Sequence, residues 1–304
     1  MKVTVFGGAG FLGSHVCDKL DDAGYEVTVF DRAPSPWLRP AMTMITGDIL
    51  DEEAVARAVE GAHAVFNFAG IADIDEANQR PTDTARYNIL GNTIILDACH
   101  QAGVKRFVFA SSVYVYSSSG GFYRCSKQAS ELFIETFHEN HGLDFTVLRY
   151  GSLYGPRADD RNAIHRFVRQ AMVEGKISYY GSPGALREYI HVEDAADASV
   201  EILKPEYANS HIILTGHQAM KVGDVLKMIA EMLPHHVEFE FETHESAAHY
   251  EITPYSFNPR MGKKYSPPLH MDLGQGVLRV IEEVHRQSHP ELDDRDGILV
   301  SRDD

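Results

Sequence analysis

Short apolar runs alternate with amphipathic stretches through the first half of the chain. Val3–Phe6 has the length and composition of a buried strand. Past a glycine-rich segment, Ser14–Ala23 carries Val16, Leu20 and Ala23 on one helical face, and Gly24 stops it. Tyr25–Phe30 is a second strand ending at Asp31, and Met42–Thr46 is a third. Asp51 caps a helix that runs to Gly61, and Ala64–Phe68 is the next strand. A long helix over Arg86–Ala102, a strand over Arg106–Ala110, a helix over Tyr123–His141 and a strand over Phe145–Tyr150 complete the series. This rhythm predicts right-handed βαβ units and an α/β fold with a doubly wound parallel sheet.

From Gly151 the pattern loosens. Ile164–Glu174, Val192–Leu203 and Val222–Leu233 read as helices, and Ile177–Tyr180 as a short strand. Ser256–Pro268 reads as an irregular loop before a last helix near Gly274–Gln287. Residues 1–160 are therefore expected to form a dinucleotide-binding domain, with segments near 187–215 returning to it. Residues 161–290 form a smaller C-terminal α/β substrate-binding domain. The tail 291–304, with six acidic residues, is expected to be mobile.

Composition narrows the function classes. The 304 residues carry 28 Lys+Arg against 44 Asp+Glu, a formal charge of −16, which opposes nucleic acid and anionic membrane surfaces. An anionic small substrate would need a local basic pocket. Cys17, Cys99 and Cys125 lie far apart and indicate neither disulfides nor a zinc site. The sixteen histidines form no ligand-spaced set with acidic partners, so no metal is expected. Val3–Phe6 runs straight into the glycine loop, so no signal peptide is read, and no apolar run reaches the ~18 residues of a membrane span. A cytoplasmic location is the expectation.

Gly7, Gly10 and Gly13 stand as G-x-x-G-x-x-G between the first strand and the first helix. Such glycines allow a tight turn, close approach of a pyrophosphate to the backbone, and close helix–sheet packing in a Rossmann-type fold. Phe11 and Leu12 belong to the same loop. Asp31, at the end of the second strand, is placed to accept hydrogen bonds from ribose hydroxyls and to repel a 2′-phosphate. NAD is the expected cofactor, with Arg32 beside Asp31 leaving room for NADP.

Tyr123 and Lys127 sit at i and i+4 on one helix face. A phenol titrating near 10 is a poor base at neutral pH, but a neighbouring ammonium stabilises the phenolate. Tyr123 can then move the proton of a substrate hydroxyl while a nicotinamide exchanges hydride. Cys125, at i+2, faces away and reads as a packing residue.

With Phe109-Ala-Ser-Ser112 before this pair, the chain resembles the extended short-chain dehydrogenase/reductase family, in its nucleotide-sugar epimerase/dehydratase branch. The resemblance covers nearly the whole chain. It implies an adenine contact at Asp48 and Ile49, a loop under the cofactor at Phe68, Ala69 and Gly70, and a cofactor contact at Asn88. Lys127 would also hold the nicotinamide ribose, and Tyr150 would touch the nicotinamide. Ser112 would hydrogen-bond the reacting sugar oxygen beside Tyr123. Arg187 matches an arginine that grips a nucleotide-sugar diphosphate, with Arg260 as its partner. Ser152, Asn162 and Tyr179 complete the substrate-binding candidates.

Departures from that resemblance choose among chemistries. Dehydratases of the family carry Asp-Glu after the serine, and decarboxylases a glutamate at the second position; here Val113-Tyr114 follows Ser112. What remains is epimerisation, at C4 through a transient 4-keto sugar, or simple oxidation and reduction of another hydroxyl substrate. A non-catalytic dinucleotide sensor is a third possibility, which the retained Ser112, Tyr123 and Lys127 disfavour. The segment between Ser112 and Tyr123 is short, with Ser117–Gly121 expected as a flexible loop that leaves the sugar pocket open. Gly151-Ser152 replaces a Phe-Asn pair, making room for a bulkier sugar. Helices Arg86–Ala102 and Tyr123–His141 carry apolar residues on more than one face, so one face is left to bury beyond the sheet, and the family resemblance implies a homodimer through a four-helix bundle there.

Overall fold

The computed structural model describes residues 1–242, 263–265 and 271–288. Strands β1 (Lys2–Phe6), β2 (Glu26–Asp31), β3 (Thr43–Thr46), β4 (Ala64–Asn67), β5 (Arg106–Ser112) and β6 (Asp144–Tyr150) alternate with helices. Five short strands follow, β7 (Ser152–Tyr154), β8 (Lys176–Tyr180), β9 (Leu186–His191), β10 (Ser210–Leu214) and β11 (Ala219–Lys221). β12 (Glu238–Glu242) and β13 (Lys263–Tyr265) complete the described strands.

The main sheet has eight described strands in the order β13-β10-β6-β5-β4-β1-β2-β3, and each of its pairings is parallel. Strand alternation divides the core between its two faces. Val3 and Val5 of β1 pack with Val16, Cys17 and Leu20 of helix Phe11–Asp22 and with Ala195, Ala196 and Ala198 of helix Val192–Glu201. Phe6 joins the opposite face with Val55, Val59, Ile95, Leu96 and Ile134. Each buried Val, Leu, Ile or Phe among them contributes about 1.5–3 kcal/mol, so both faces need cover and the sheet becomes doubly wound. Successive crossovers run to opposite sides of β1, and its boundary with β4 is the switch point where α/β sheets open a crevice.

A third apolar cluster lies beyond β6. Phe167, Leu226, Ile229, Val277 and Val280 come from helices Ala163–Arg169, Val222–Glu231 and Leu273–Ser288. Two small sheets, β11-β9-β7 and β12-β8, flank it.

Three departures from the sequence pattern are informative. The long helix starts at Pro81 and runs to Gln101, with a π-helical stretch at Ala85–Gly91 in its middle. Its Asn88 is drawn toward Ile71 and Ser126, a distortion of the kind that accompanies functional sites. Within the stretch read as an irregular loop, Lys263–Tyr265 forms β13, because the edge of β10 offers unpaired backbone groups that a parallel strand can satisfy. The rest of that stretch, Arg260 and the acidic tail lie outside the described residues. The stretch expected as a flexible loop, Ser117–Gly121, is shorter than expected, because Gly121 already opens the helix; its start is held by Arg124 Nη1 donating to Ser117 O and by Ser119 N donating to Ser117 Oγ. Among the described residues, no helix is long and apolar enough to cross a membrane.

Candidate active site

A cleft of about 880 Å³ opens at the switch point. Its first wall is the turn from β1 into helix Phe11–Asp22. Gly7 has φ +76, donates its N–H to Phe30 O, and accepts from Gly10 N. A Cβ on Gly13 would lie 2.2 Å from Gly7 O, and one on Gly7 would lie 2.7 Å from Ala69 N. Only glycine permits this approach of turn, helix and neighbouring loop. Gly10 caps the helix without a side chain, so the first-turn amides, which have no partner inside a helix, stand at the cleft lined by Gly10, Phe11, Leu12 and Gly13.

Asp31 lines the cleft at the end of β2, its carboxylate oriented by Ala9 N at 3.0 Å and Arg32 N at 2.7 Å. The Arg32 guanidinium lies 5.3 Å from the Tyr87 ring centroid. Ile49, Phe68, Ala69 and Gly70 also line the cleft. The open helix end, the terminal acid and the apolar flank fit a dinucleotide of the NAD type.

Three residues expected at the cofactor, Asp48, Asn88 and Lys127, are not among those lining the cleft. Asp48 accepts from Leu50 N at 3.0 Å, so its carboxylate serves its own turn, while Gly47 and Ile49 form the wall. Asn88 is buried, its amide holding Ile71 N, Ile71 O and Ser126 Oγ at 2.7–2.9 Å. It braces the loop under the cofactor from behind.

Ser112 and Tyr123 line the same cleft. Ser112 ends β5, where it pairs in register with Tyr150 of β6, and its Oγ accepts from Tyr114 N. Tyr123 lies in the first turn of helix Gly121–His141. Lys127 follows one turn later, behind the lining residues. Its Nζ is 5.7 Å from the Tyr123 ring centroid and 4.7 Å from that of Phe109, and it donates to Ala110 O at 2.7 Å. Burial lowers its pKa to about 8, with Glu131 opposing the shift. Tyr150 lines the cleft but shares a 2.6 Å hydrogen bond with Ser199 Oγ, and burial pushes its phenol far above the usual range. It is a neutral wall rather than a proton carrier.

Sequence spacing overlooked what lies behind this pair. Glu131 accepts from Ser111 Oγ at 2.5 Å and from Arg149 Nη2 at 2.6 Å, and Arg149 Nη1 reaches Tyr116 Oη at 2.5 Å. Glu131 stands four residues after Lys127, a spacing that places both on one helix face and was the available signal.

On the far side, Ser152, Tyr179 and Arg187 line the cleft. Burial raises the Tyr179 phenol, which the Arg187 charge counters, and Arg187 Nη1 donates to Leu186 O. Asn162 also lines it, yet its amide caps helix Ala163–Arg169, accepting from Ile164 N and His165 N and donating to Leu153 O. Arg80, Arg157, Arg161 and Arg166 join Arg187 in lining the cleft, together with Asp73, Asp75, Glu76 and Asp159; Arg80 pairs with Glu76 and Asp83, Arg157 with Asp18, and Arg161 with Asp159. Gly151 does not open the pocket as expected: a Cβ there would lie 2.9 Å from both Glu188 O and Thr215 Cγ2, so packing demands the glycine.

The sequence matches the NAD dependent epimerase/dehydratase family over residues 3–214, and the chain belongs to that family. It is 31% identical to a dTDP-glucose 4,6-dehydratase of Streptomyces antibioticus over 64% of this chain and 66% of the relative, just under two thirds of that protein. It is 24% identical to a putative UDP-glucose 4-epimerase of Methanocaldococcus jannaschii, over 92% and 97% of the two chains. The solved UDP-glucose 4-epimerase of Thermotoga maritima, with UDP-glucose, superposes with a TM-score of 0.81 at 24% identity, covering 95% of this chain and all of that one. That likeness establishes the fold.

Proposed function

We propose that this chain is an NAD-dependent epimerase of a nucleotide-activated sugar, acting at C4. One observation carries the reading. The turn after Ser112 offers no carboxylate: Val113 is buried, and Tyr114 packs edge-on to Tyr123 with centroids 6.2 Å apart. Water elimination needs an added acid and base there, whereas epimerisation needs only the serine, tyrosine and lysine with the dinucleotide.

Gly7–Gly13, Asp31 and the wall from Phe68 to Gly70 would hold the dinucleotide, which supplies a hydride acceptor and donor facing the sugar. Asp31 favours NAD over NADP. Tyr123 removes the proton from the sugar 4-hydroxyl, assisted by the Lys127 ammonium, and Ser112 holds the same oxygen. After the 4-keto sugar turns over, Tyr123 returns the proton on completion of the opposite epimer. Arg187, with Tyr179 near it, supports a diphosphate-linked substrate.

The test is incubation of the purified protein with a panel of nucleotide sugars, read by NMR of the anomeric proton. Epimer formation without net NADH is the expected result. Stoichiometric consumption of free cofactor would instead establish a dehydrogenase, and a 4-keto-6-deoxy product a dehydratase.

A further inference from the structure

Several helices in this chain begin with a local side-chain cap, as at Asp51, Asp73 and Asn162. The helix carrying Tyr123 does not. Gly120, at φ +96, precedes it with no side-chain cap, and Gly121 opens it at φ +50. The first amides of a helix have no partner within it. Here an acceptor comes from another element: Phe122 N–H donates to Asn78 Oδ1 at 3.0 Å. A Cβ at position 121 would lie 2.0 Å from that oxygen and 2.8 Å from Asn78 Cγ. The amide of Asn78 therefore fills the space that a side chain at 121 would take.

On the other side of the tyrosine, Tyr123 O accepts from Ser126 Oγ at 2.8 Å, and Ser126 Oγ accepts from Asn88 Nδ2 at 2.9 Å. The backbone is thus held on both sides of Tyr123, at the 121–122 peptide and at the 123–124 peptide. Asn78 sits on helix Ile74–Gln79, whose Ile74, Asp75 and Glu76 line the cleft, and Asn88 also grips Ile71 of the same wall. The wall beside the substrate and the backbone of the tyrosine form one hydrogen-bonded unit.

We propose that Asn78 is a positioning residue for Tyr123, its side chain capping the catalytic helix in the space that Gly121 leaves open. The inference rests on the reading of Tyr123 as the proton carrier. A side chain anchored in the cleft wall sets the height of the phenol above the reacting hydroxyl, and an error of about 1 Å in such a placement costs up to about 10²-fold in rate.

The test uses NAD-loaded protein and two variants, Asn78→Leu, which keeps the volume and removes the acceptor, and Asn78→Asp, which keeps an acceptor of the same reach. Without substrate, the titration of Tyr123 is taken from ultraviolet difference spectra against Tyr123→Phe. Asn78→Leu is expected to raise its midpoint by about half a pH unit or more, as the phenol moves relative to Lys127. With UDP-glucose as the probe substrate, Asn78→Leu should lower kcat about tenfold or more with KM within about twofold. Asn78→Asp should restore most of kcat. A Tyr123 midpoint unmoved by Asn78→Leu overturns the proposal, as does a rise in KM alone or an Asn78→Asp variant as slow as Asn78→Leu. Should Asn78→Leu fail to fold, Asn78→Ser, too short to reach Phe122 N, carries the same expectations. Absence of turnover in the unsubstituted protein would count against the substrate reading, while the titration still decides the role of Asn78.

Discussion

Lys127 shows how one residue's surroundings set its chemistry. Its ammonium is buried between the Phe109 and Tyr123 rings, and desolvation lowers its pKa from 10.5 to about 8. In the unfolded chain it stays protonated to the higher value, so between pH 8 and 10.5 the unfolded state binds more protons. The lysine therefore costs stability below pH 8, and that cost fades as pH rises to 10.5. Relative to Lys127→Met, the native protein should gain about 3 kcal/mol across this window, measured as the difference between their denaturation curves at each pH. Activity should run the opposite way, falling above about pH 8 as the charge supporting the Tyr123 phenolate is lost. Tyr123→Phe should retain the melting temperature and lose about 10²–10⁴-fold in kcat, measured as epimer formation by NMR. The i, i+4 spacing of this pair was legible in the sequence; the burial that tunes the lysine was not, because it comes from β5 and the ring of Phe109.

At the level of elements, helix Gly121–His141 presents Lys127 to the site and Glu131 to the strands behind it. Glu131 and Arg149 have side-chain exposures of 5% and 2%, so neither can turn to water if its partner is removed. Glu131→Gln leaves the guanidinium without its counter-charge and should destabilise the fold by about 3–5 kcal/mol, read from urea denaturation. Polar residues of this kind mark where direction escapes a linear reading. Asp48, Asn88 and Asn162 stand at the positions that the family resemblance assigns to ligands. In the fold, Asp48 satisfies a turn amide, Asn162 caps a helix, and Asn88 binds Ile71 and Ser126. Residue type and spacing announce a polar contact, but the backbone path around it decides whether the partner is a ligand or an amide of the chain.

For the whole molecule, the apolar surface left over is as informative as the core. Leu90, Phe122, Leu132 and Phe133 are 43–50% exposed on the two long helices that do not spend all their apolar faces on the sheet. A second copy packing there is our proposal for the oligomeric state, and Leu132→Glu should convert a dimer to a monomer in sedimentation velocity while NAD retention persists. Local information determined a great deal. The periods of strand and helix, the glycine spacing, Asp31 and the Tyr123–Lys127 turn are contained within short windows, where backbone sterics and hydrophobic alternation act. Tertiary structure decided what depends on distant segments meeting. It placed β13 in the main sheet, tied down the short loop after Ser112, made packing rather than substrate the reason for Gly151, and brought Asn78 to the amide of Phe122. Those outcomes follow from long-range burial and from the need to satisfy backbone groups, terms that appear only once the chain has closed on itself.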